Sequence, residues 1–148
     1  MRTPWMWIVI LWGTACAGSA EDDSASASTE SPQTFAAQVA LGQRVYGAKC
    51  AGCHGASGQG TDMAPRLVGL DQGALPLQAP AERKLRHEDF VTVGDVASFA
   101  VMNMPPDKPG SLTTDEYLAV LAFDLKANGV MLERKLDLDL AETLTIPR

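Results

Sequence analysis

The pentapeptide Cys50-Ala51-Gly52-Cys53-His54 decides how the rest of this 148-residue chain is interpreted. Two cysteines three positions apart lie on one face of a helical turn, so both sulfurs can bond to neighbouring vinyl groups of one porphyrin. The histidine that follows points at the iron and can supply its proximal nitrogen. The spacing therefore predicts one covalently attached c-type haem, held by Cys50, Cys53 and His54.

Two other uses of a Cys-x-x-Cys pair compete with this interpretation. A thioredoxin-like dithiol requires a strand–helix pattern around the motif, whereas a helical pattern precedes it here. A zinc site requires a second pair of ligands, and only Cys16 and His87 remain, at no ligand spacing. The sequence therefore favours haem over both alternatives.

Length and charge restrict the kind of protein. A chain of this length predicts one domain with a single core. The formal net charge of −6 argues against binding to nucleic acid. It favours an acidic protein whose partners carry basic patches.

Residues 1–16 have the pattern of a secretion signal. Arg2 provides a positive start, and an apolar run follows from Trp5 to Trp12. This run is shorter than the roughly 20 apolar residues that a membrane-spanning helix needs. The sequence therefore predicts a periplasmic or other extracytoplasmic location.

The end of that segment, Gly13-Thr14-Ala15-Cys16, resembles a bacterial lipobox, in which the cysteine is lipidated. Gly13 stands where a lipobox usually has Leu, and cleavage after Ala17 or Ala20 is the alternative. Lipidation at Cys16 is the favoured interpretation, because this third cysteine otherwise has no task. Residues 17–33 are small, polar and acidic, and they predict a disordered tether behind the anchor.

Helical signals organise residues 34–130. A periodic segment runs from about Thr34 to Lys49, with Ser31 or Thr34 available as its cap. Gly42 lies inside this helix, where a glycine costs roughly 1 kcal/mol against alanine. We therefore expect another helix, the last of the domain, to pack closely against it.

A second helix is predicted after Thr92, and it stops at Met104-Pro105-Pro106. A methionine before two prolines is held in extended backbone, which suits a sulfur ligand at the sixth iron position. Met104 is therefore the predicted axial ligand, with Met102 as its close rival and Met63 as a distant one. His87 is a weaker alternative ligand.

The final predicted helix begins at Thr113, with Glu116 completing a capping box, and stops at Asn128-Gly129. Within residues 131–148, Leu136-Asp137-Leu138-Asp139-Leu140 alternates with period two, which leaves open an extended tail over the body or a poorly ordered end. Residues 71–91 carry a small basic cluster, predicted as a solvated face with a docking or propionate-pairing patch as the alternative. The cluster consists of Arg83, Lys84, Arg86 and His87.

With these features in place, residues 34–130 resemble the class I cytochromes c of the bacterial monohaem type. The motif Cys50–His54 matches the haem site, and Met104-Pro105 matches the usual ligand-methionine step. The remaining matches are Gly42 and Tyr46 in the first helix, Phe123 in the last helix and Pro65 after the haem motif. The resemblance implies an all-α fold in which the first and last helices cross. It also implies that Phe123 packs across Gly42 and that the Pro65 carbonyl holds the His54 ring.

The resemblance implies a single-electron carrier with His/Met ligation of the iron, not an enzyme by itself. Its partners would be redox proteins, such as a dehydrogenase as donor and an oxidase as acceptor, with the membrane reached through a lipid at Cys16. The region from Thr92 to Gly129 further resembles small cytochromes that serve periplasmic dehydrogenases. The alternatives are a haem subunit of a dehydrogenase or oxidase complex, and a peroxidase or ligand sensor with a labile methionine.

Overall fold

The computed structural model describes residues 31–75, 77–79, 81 and 86–146. The predicted secretion signal, Cys16 and nearly all of the predicted tether lie outside the described residues, as do Arg83 and Lys84. The helices are α1 (Phe35–Lys49), α2 (Ala51–His54), α3 (Val93–Asn103), α4 (Thr114–Ala127) and α5 (Leu138–Thr143), with one 3₁₀ turn (Leu70–Gln72). In the described ranges, an isolated bridge between Thr92 and Thr145 is the one β-pairing, so the all-α prediction is confirmed.

The three long helices begin at the predicted caps. The Thr34 hydroxyl accepts a hydrogen bond from the backbone N–H of Ala37. Thr92 and Thr113 each form a complete capping box, with Asp95 and Glu116 respectively. Because these bonds satisfy backbone groups that a helix terminus leaves free, local sequence fixes where α1, α3 and α4 start.

Helices α1 and α4 cross at Gly42. A β-carbon added at this glycine would lie 1.9 Å from the Ala119 carbonyl oxygen and 2.9 Å from the β-carbon of Phe123. Any larger residue would therefore push the two helices apart. Phe123 thus packs across Gly42, as the resemblance implies, and its ring lies 5.1 Å from that of Tyr46 between centroids.

The larger part of the core lies on the other side of α4. It joins α3, α4 and the segment that follows α4, and its buried members are Val93, Ala97, Leu118, Leu121, Leu125, Leu136, Ala141 and Ile146. Close contact between α3 and α5 occurs at Gly94, where an added β-carbon would lie 3.0 Å from the Glu142 α-carbon. Residues 131–146 are thus integral to the core, and they include a helix that neither sequence-based alternative contained.

A buried glutamine ties this C-terminal segment to the first helix. The Gln38 side chain donates to the Leu136 carbonyl and accepts from the Leu136 N–H, both at 2.8 Å. Both partners are almost fully buried. The amide therefore pairs with the backbone in the way that a neighbouring strand would.

The predicted solvated basic face is wrong at Arg86. This guanidinium is buried and lies 3.9 Å from the centre of the Phe90 ring. It also donates to the carbonyls of Leu77 and Gln78. Arg86 thus holds two parts of the 77–90 segment together, because its apolar stem and planar head can be buried once the N–H groups are paired.

None of the described helices combines the length and the apolar character that are required to cross a membrane.

Candidate functional site

The two cysteines and the histidine of the motif share one helical turn. Helix α1 ends at Lys49, and Cys50 serves as both its C-cap and the N-cap of α2. The Cys50 carbonyl accepts from the N–H groups of Cys53 and His54, at 3.1 and 2.9 Å. Both thiols are half-buried and free of any disulfide, so both sulfurs are available to a group bound beside the turn.

The environment of Cys50 does not suit a redox-active dithiol. Burial, followed by the nearby Asp124 and Cys53, raises the pKa of the Cys50 thiol to about 11. Reactive dithiols of the thioredoxin kind instead require a lowered pKa, since the thiolate is the nucleophile. The site therefore favours a cysteine used for covalent attachment.

The His54 ring is buried and oriented by Pro65. Its Nδ1 lies 2.8 Å from the Pro65 carbonyl oxygen. A carbonyl can only accept a hydrogen bond, so Nδ1 carries the proton and Nε2 keeps a lone pair for a metal. This is the contact expected from the sequence, and it fixes both the tautomer and the direction of the ring.

The loop between His54 and Pro65 is closed by its own backbone. The Gly60 N–H donates to the His54 carbonyl at 2.8 Å, and the Gly58 carbonyl accepts from Leu67 and Val68. On the α1 side, the Tyr46 hydroxyl donates to the Gly55 carbonyl at 2.8 Å. The turn that carries His54 is therefore attached to α1 before any cofactor is added.

Asn128 is a second anchor of this loop. The sequence predicts it only as the end of the last helix. Its side-chain oxygen accepts from the Gly69 N–H at 2.8 Å, and its amide donates to the Leu67 carbonyl at 2.9 Å. The loop that orients His54 is thereby attached to the end of α4. A sequence signal was available, since Asn at a helix end commonly pairs with backbone groups.

Met104 begins the segment after α3. Its backbone is extended and its N–H donates to the Ala100 carbonyl at 2.8 Å. Its carbonyl accepts from the buried Tyr117 hydroxyl at 2.6 Å, a contact that the sequence did not suggest. Two helices, α3 and α4, therefore determine the position of the Met104 backbone.

The rival ligands lie in other surroundings. The side chain of Met102 is 67% exposed and that of Met63 is 71% exposed, whereas Met104 is half-buried. His87 is exposed. Because a ligand to a buried iron must itself be sheltered, these exposures favour Met104 over its rivals.

Asp124 on α4 is the polar group of the site that sequence reasoning missed. Its carboxyl is buried, and its Oδ1 atom has no hydrogen-bond partner among the residues that the structure describes. Burial raises its pKa to about 8. Its charge in turn contributes to raising the pKa of both Tyr46 and Cys50, which places the carboxyl beside the motif.

Asp124 also lines a narrow cavity whose other walls are aliphatic. The walls come from α3, α4, the 70–75 region and the chain after α5: Leu75, Val93, Val96, Leu121, Leu125 and Ile146. Cys50, Cys53, His54 and Met104 do not line this cavity. The motif itself combines two free sulfurs with an oriented imidazole, and this combination suits a group that carries a metal.

Comparisons with known proteins agree with this chemistry. The family model described as "Cytochrome c" matches residues 39–125. No curated protein matched the chain at a significant level. Among solved structures, a chain of the sulfane dehydrogenase SoxCD from Paracoccus pantotrophus is similar, with a TM-score of 0.54 and 27% sequence identity. The match covers 74% of the present chain but 53% of that chain, so it spans about half of the larger protein's length.

Proposed function

The chain belongs to the cytochrome c family, and from this membership we propose that it is a single-electron carrier with one c-type haem ligated by His54 and Met104. Family membership establishes electron transfer through a covalently bound c-type haem and a class I cytochrome c fold. The finer assignments are the ligand pair, the single haem, the cellular location and the partners. Each rests on the residues discussed below.

The observation that carries the proposal is the oriented imidazole next to two free thiols. Nδ1 of His54 lies 2.8 Å from the Pro65 carbonyl, which leaves Nε2 as the metal-binding atom. Cys50 and Cys53 lie on the same turn without a disulfide between them. No other chemistry considered for this motif uses all three side chains in these roles.

The residues of the site fit a haem. The cysteines would hold it through thioether bonds, and His54 would provide the proximal nitrogen. When bound, the haem iron supplies the one-electron couple between the ferric and ferrous states. The protein's part would be to keep His54 and Met104 in place and water out, so that little reorganises on electron transfer.

Met104 is supported as the second ligand by the way its backbone is held. The Ala100 carbonyl and the Tyr117 hydroxyl bind the N–H and the carbonyl of Met104. A residue held on both sides can present its sulfur at a constant position. A thioether ligand favours ferrous iron and therefore raises the reduction potential.

Location and partners are proposed from the sequence and from the solved structure. We propose export by the segment 1–16 and a lipid anchor at Cys16, with residues 17–33 as a tether that keeps the domain near a membrane. Redox proteins, a dehydrogenase as donor and an oxidase as acceptor, are the proposed partners. The likeness to a chain of SoxCD supports the dehydrogenase part of this proposal.

The same likeness favours a second candidate, a haem subunit held permanently in a dehydrogenase complex. A free carrier would be purified alone, whereas a subunit would be purified with its partner. Affinity purification of the tagged full chain from its own host separates the two. Co-purification of a dehydrogenase in constant proportion would replace the free-carrier proposal.

The experiment that tests the proposed function is the absorption spectrum of the protein made in a host with cytochrome c maturation. A covalent haem that shows the near-infrared sulfur-to-ferric-iron band would support His/Met ligation. A covalent haem without this band would overturn Met104 as ligand and favour the peroxidase or sensor alternatives. Failure of haem to attach would overturn the proposal as a whole.

A further inference from the structure

The buried carboxyl of Asp124 has no task in the carrier function described so far. In the described part of the chain, one of its oxygens is buried and has no hydrogen-bond partner. The remaining lining of the adjacent cavity is aliphatic. A carboxyl in such surroundings costs stability whenever it is ionised, so its presence beside Cys50 calls for a physical reason.

The position of Asp124 on α4 places it between two parts of the site. These are the histidine side, which holds His54, and the methionine side, which holds Met104. Tyr117 contacts Met104, and Asn128 contacts the loop that follows Pro65. Asp124 follows Tyr117 by seven residues and precedes Asn128 by four, and these spacings keep all three on one helix face. The carboxyl therefore lies between the methionine and histidine sides, next to Cys50.

The ionisable groups that face Asp124 are few. Helix α1 contributes Tyr46, whose pKa is raised to about 12 mainly by burial, and the motif contributes Cys50. A Cys50 joined to haem as a thioether no longer carries a titrating proton. The walls from α3, the 70–75 region and the chain end contribute only aliphatic side chains. Asp124, whose own pKa is raised to about 8, is thus the group at this place that titrates in an ordinary pH range.

We propose that Asp124 binds a proton when the iron is reduced and releases it when the iron is oxidised, so that the protein transfers a proton together with the electron. This inference rests on the proposed carrier function. In the reductive step a one-electron donor protein supplies the electron, ferric iron becomes ferrous, and solvent supplies the proton that the carboxylate takes up. The oxidative step returns the proton to solvent and the electron to the acceptor.

The direction follows from electrostatics. The ferric site has one more positive charge than the ferrous site, and this charge favours the ionised carboxylate. Reduction removes the charge and raises the proton affinity of Asp124. Low dielectric surroundings strengthen the coupling, because neither group is screened by water.

The test is the midpoint potential of the haem-loaded protein measured as a function of pH. In the wild type the potential should fall as the pH rises through an interval around 8 and level off on both sides. Asp124→Asn should remove this dependence and stay at the low-pH value of the wild type, because the amide has the shape and charge of the protonated acid. Asp139→Asn, a change at an exposed carboxylate, should keep the wild-type curve.

Two results would overturn the proposal while leaving the carrier function intact. One is a reversible haem couple whose potential does not change with pH. The other is an Asp124→Asn protein that keeps the wild-type dependence, which would assign the proton to another group such as a haem propionate. Absence of any reversible couple would instead count against the proposed function.

An infrared measurement on the unaltered protein makes the test independent of how Asp124→Asn folds. The reduced-minus-oxidised difference spectrum near pH 8 should contain a positive carbonyl-stretch band from a protonated carboxyl. Labelling aspartate with ¹³C should shift this band to lower frequency. A difference spectrum without a label-sensitive band would reject proton uptake at Asp124.

Discussion

The histidine side and the methionine side of the site are each held by a tyrosine hydroxyl that donates to a backbone carbonyl, but the two bonds connect different kinds of segment. On the histidine side, the Tyr46 hydroxyl donates to the Gly55 carbonyl, nine residues along the chain. On the methionine side, the Tyr117 hydroxyl donates to the Met104 carbonyl across a gap between two helices. In the proposed haem site, Cys50 and Cys53 would also attach the histidine side covalently to the cofactor, whereas Met104 would be attached only through its sulfur.

The difference indicates that the two sides have different stabilities. Helix α1, the motif and Pro65 form one continuous stretch, so the histidine side is built mainly from neighbours in sequence and is attached to the end of α4 through Asn128. The methionine side depends on how α3 and α4 pack. We therefore expect the histidine side to persist and the methionine side to open first when the protein is perturbed.

The largest effect is expected for His54→Ala, which removes the proposed metal ligand of the histidine side. Without the proximal nitrogen, a stable haem protein should not accumulate. His87→Ala is the matched control, because it removes the chain's other histidine and should leave haem content unchanged. Haem-stained gels and absorption spectra measure both variants. Normal haem content in the His54 variant would mean that the two sides do not differ as proposed.

A smaller effect is expected for Met104→Ala, which opens the methionine side alone. The haem should stay attached through its cysteines, the near-infrared band should vanish, and carbon monoxide should bind the reduced protein readily. Met102→Ala is the control on an exposed neighbour and should behave like the wild type. An unchanged spectrum in the Met104 variant would transfer the ligand role to another residue.

Asp124 lies between the two sides and should make stability depend on pH. A carboxyl whose pKa is raised to about 8 in the folded state, against about 3.9 unfolded, destabilises the fold increasingly as pH rises between these values. Asp124→Asn should therefore stabilise the protein by on the order of a few kcal/mol at pH 8 and by little at pH 4.

Denaturant unfolding of the haem-loaded protein at several pH values measures this effect. Asp139→Asn is again the control at an exposed position. A stability difference between wild type and the Asp124 variant that stays constant from acid to alkaline pH would contradict the raised pKa.

The smallest effects separate the two tyrosines. Tyr117→Phe and Tyr46→Phe each remove one hydroxyl that binds a backbone carbonyl, and each should cost about 1 kcal/mol of stability. Only Tyr117→Phe should also increase the affinity of the ferric protein for imidazole, by roughly several-fold, since it loosens Met104. Equal imidazole affinities in the two variants would show that both sides are held alike.

The sequence predicted best what neighbouring residues determine. The capping boxes at Thr92 and Thr113 and the close approach at Gly42 follow from local rules and were found where expected. The His54–Pro65 contact was also anticipated, because a proline carbonyl outside a helix is free to accept a ring N–H. The family resemblance implied how these elements are arranged in the fold, with the first and last helices crossing.

What the sequence did not show depends on contacts between distant segments. Period-two alternation at residues 136–140 suggested an extended or poorly ordered tail, but packing against α3 and α4 selects a short helix there. Arg86 belongs to a basic run, yet it is buried. Its guanidinium lies over the Phe90 ring and donates hydrogen bonds to two backbone carbonyls. Asp124 lies among apolar residues of α4, and nothing in the sequence pattern marks this carboxylate as buried rather than exposed to solvent.

The two hydrogen bonds between the Gln38 side chain and the Leu136 backbone show that this domain does not end with α4. The boundary suggested by family resemblance, near residue 130, would leave the Gln38 amide without partners and uncover the core around Leu136 and Ile146. A shortened form that stops there would lose a buried polar pairing and a layer of apolar contacts at once. The cooperative folding unit therefore extends at least to Ile146, and its first helix is stabilised by residues about a hundred positions later.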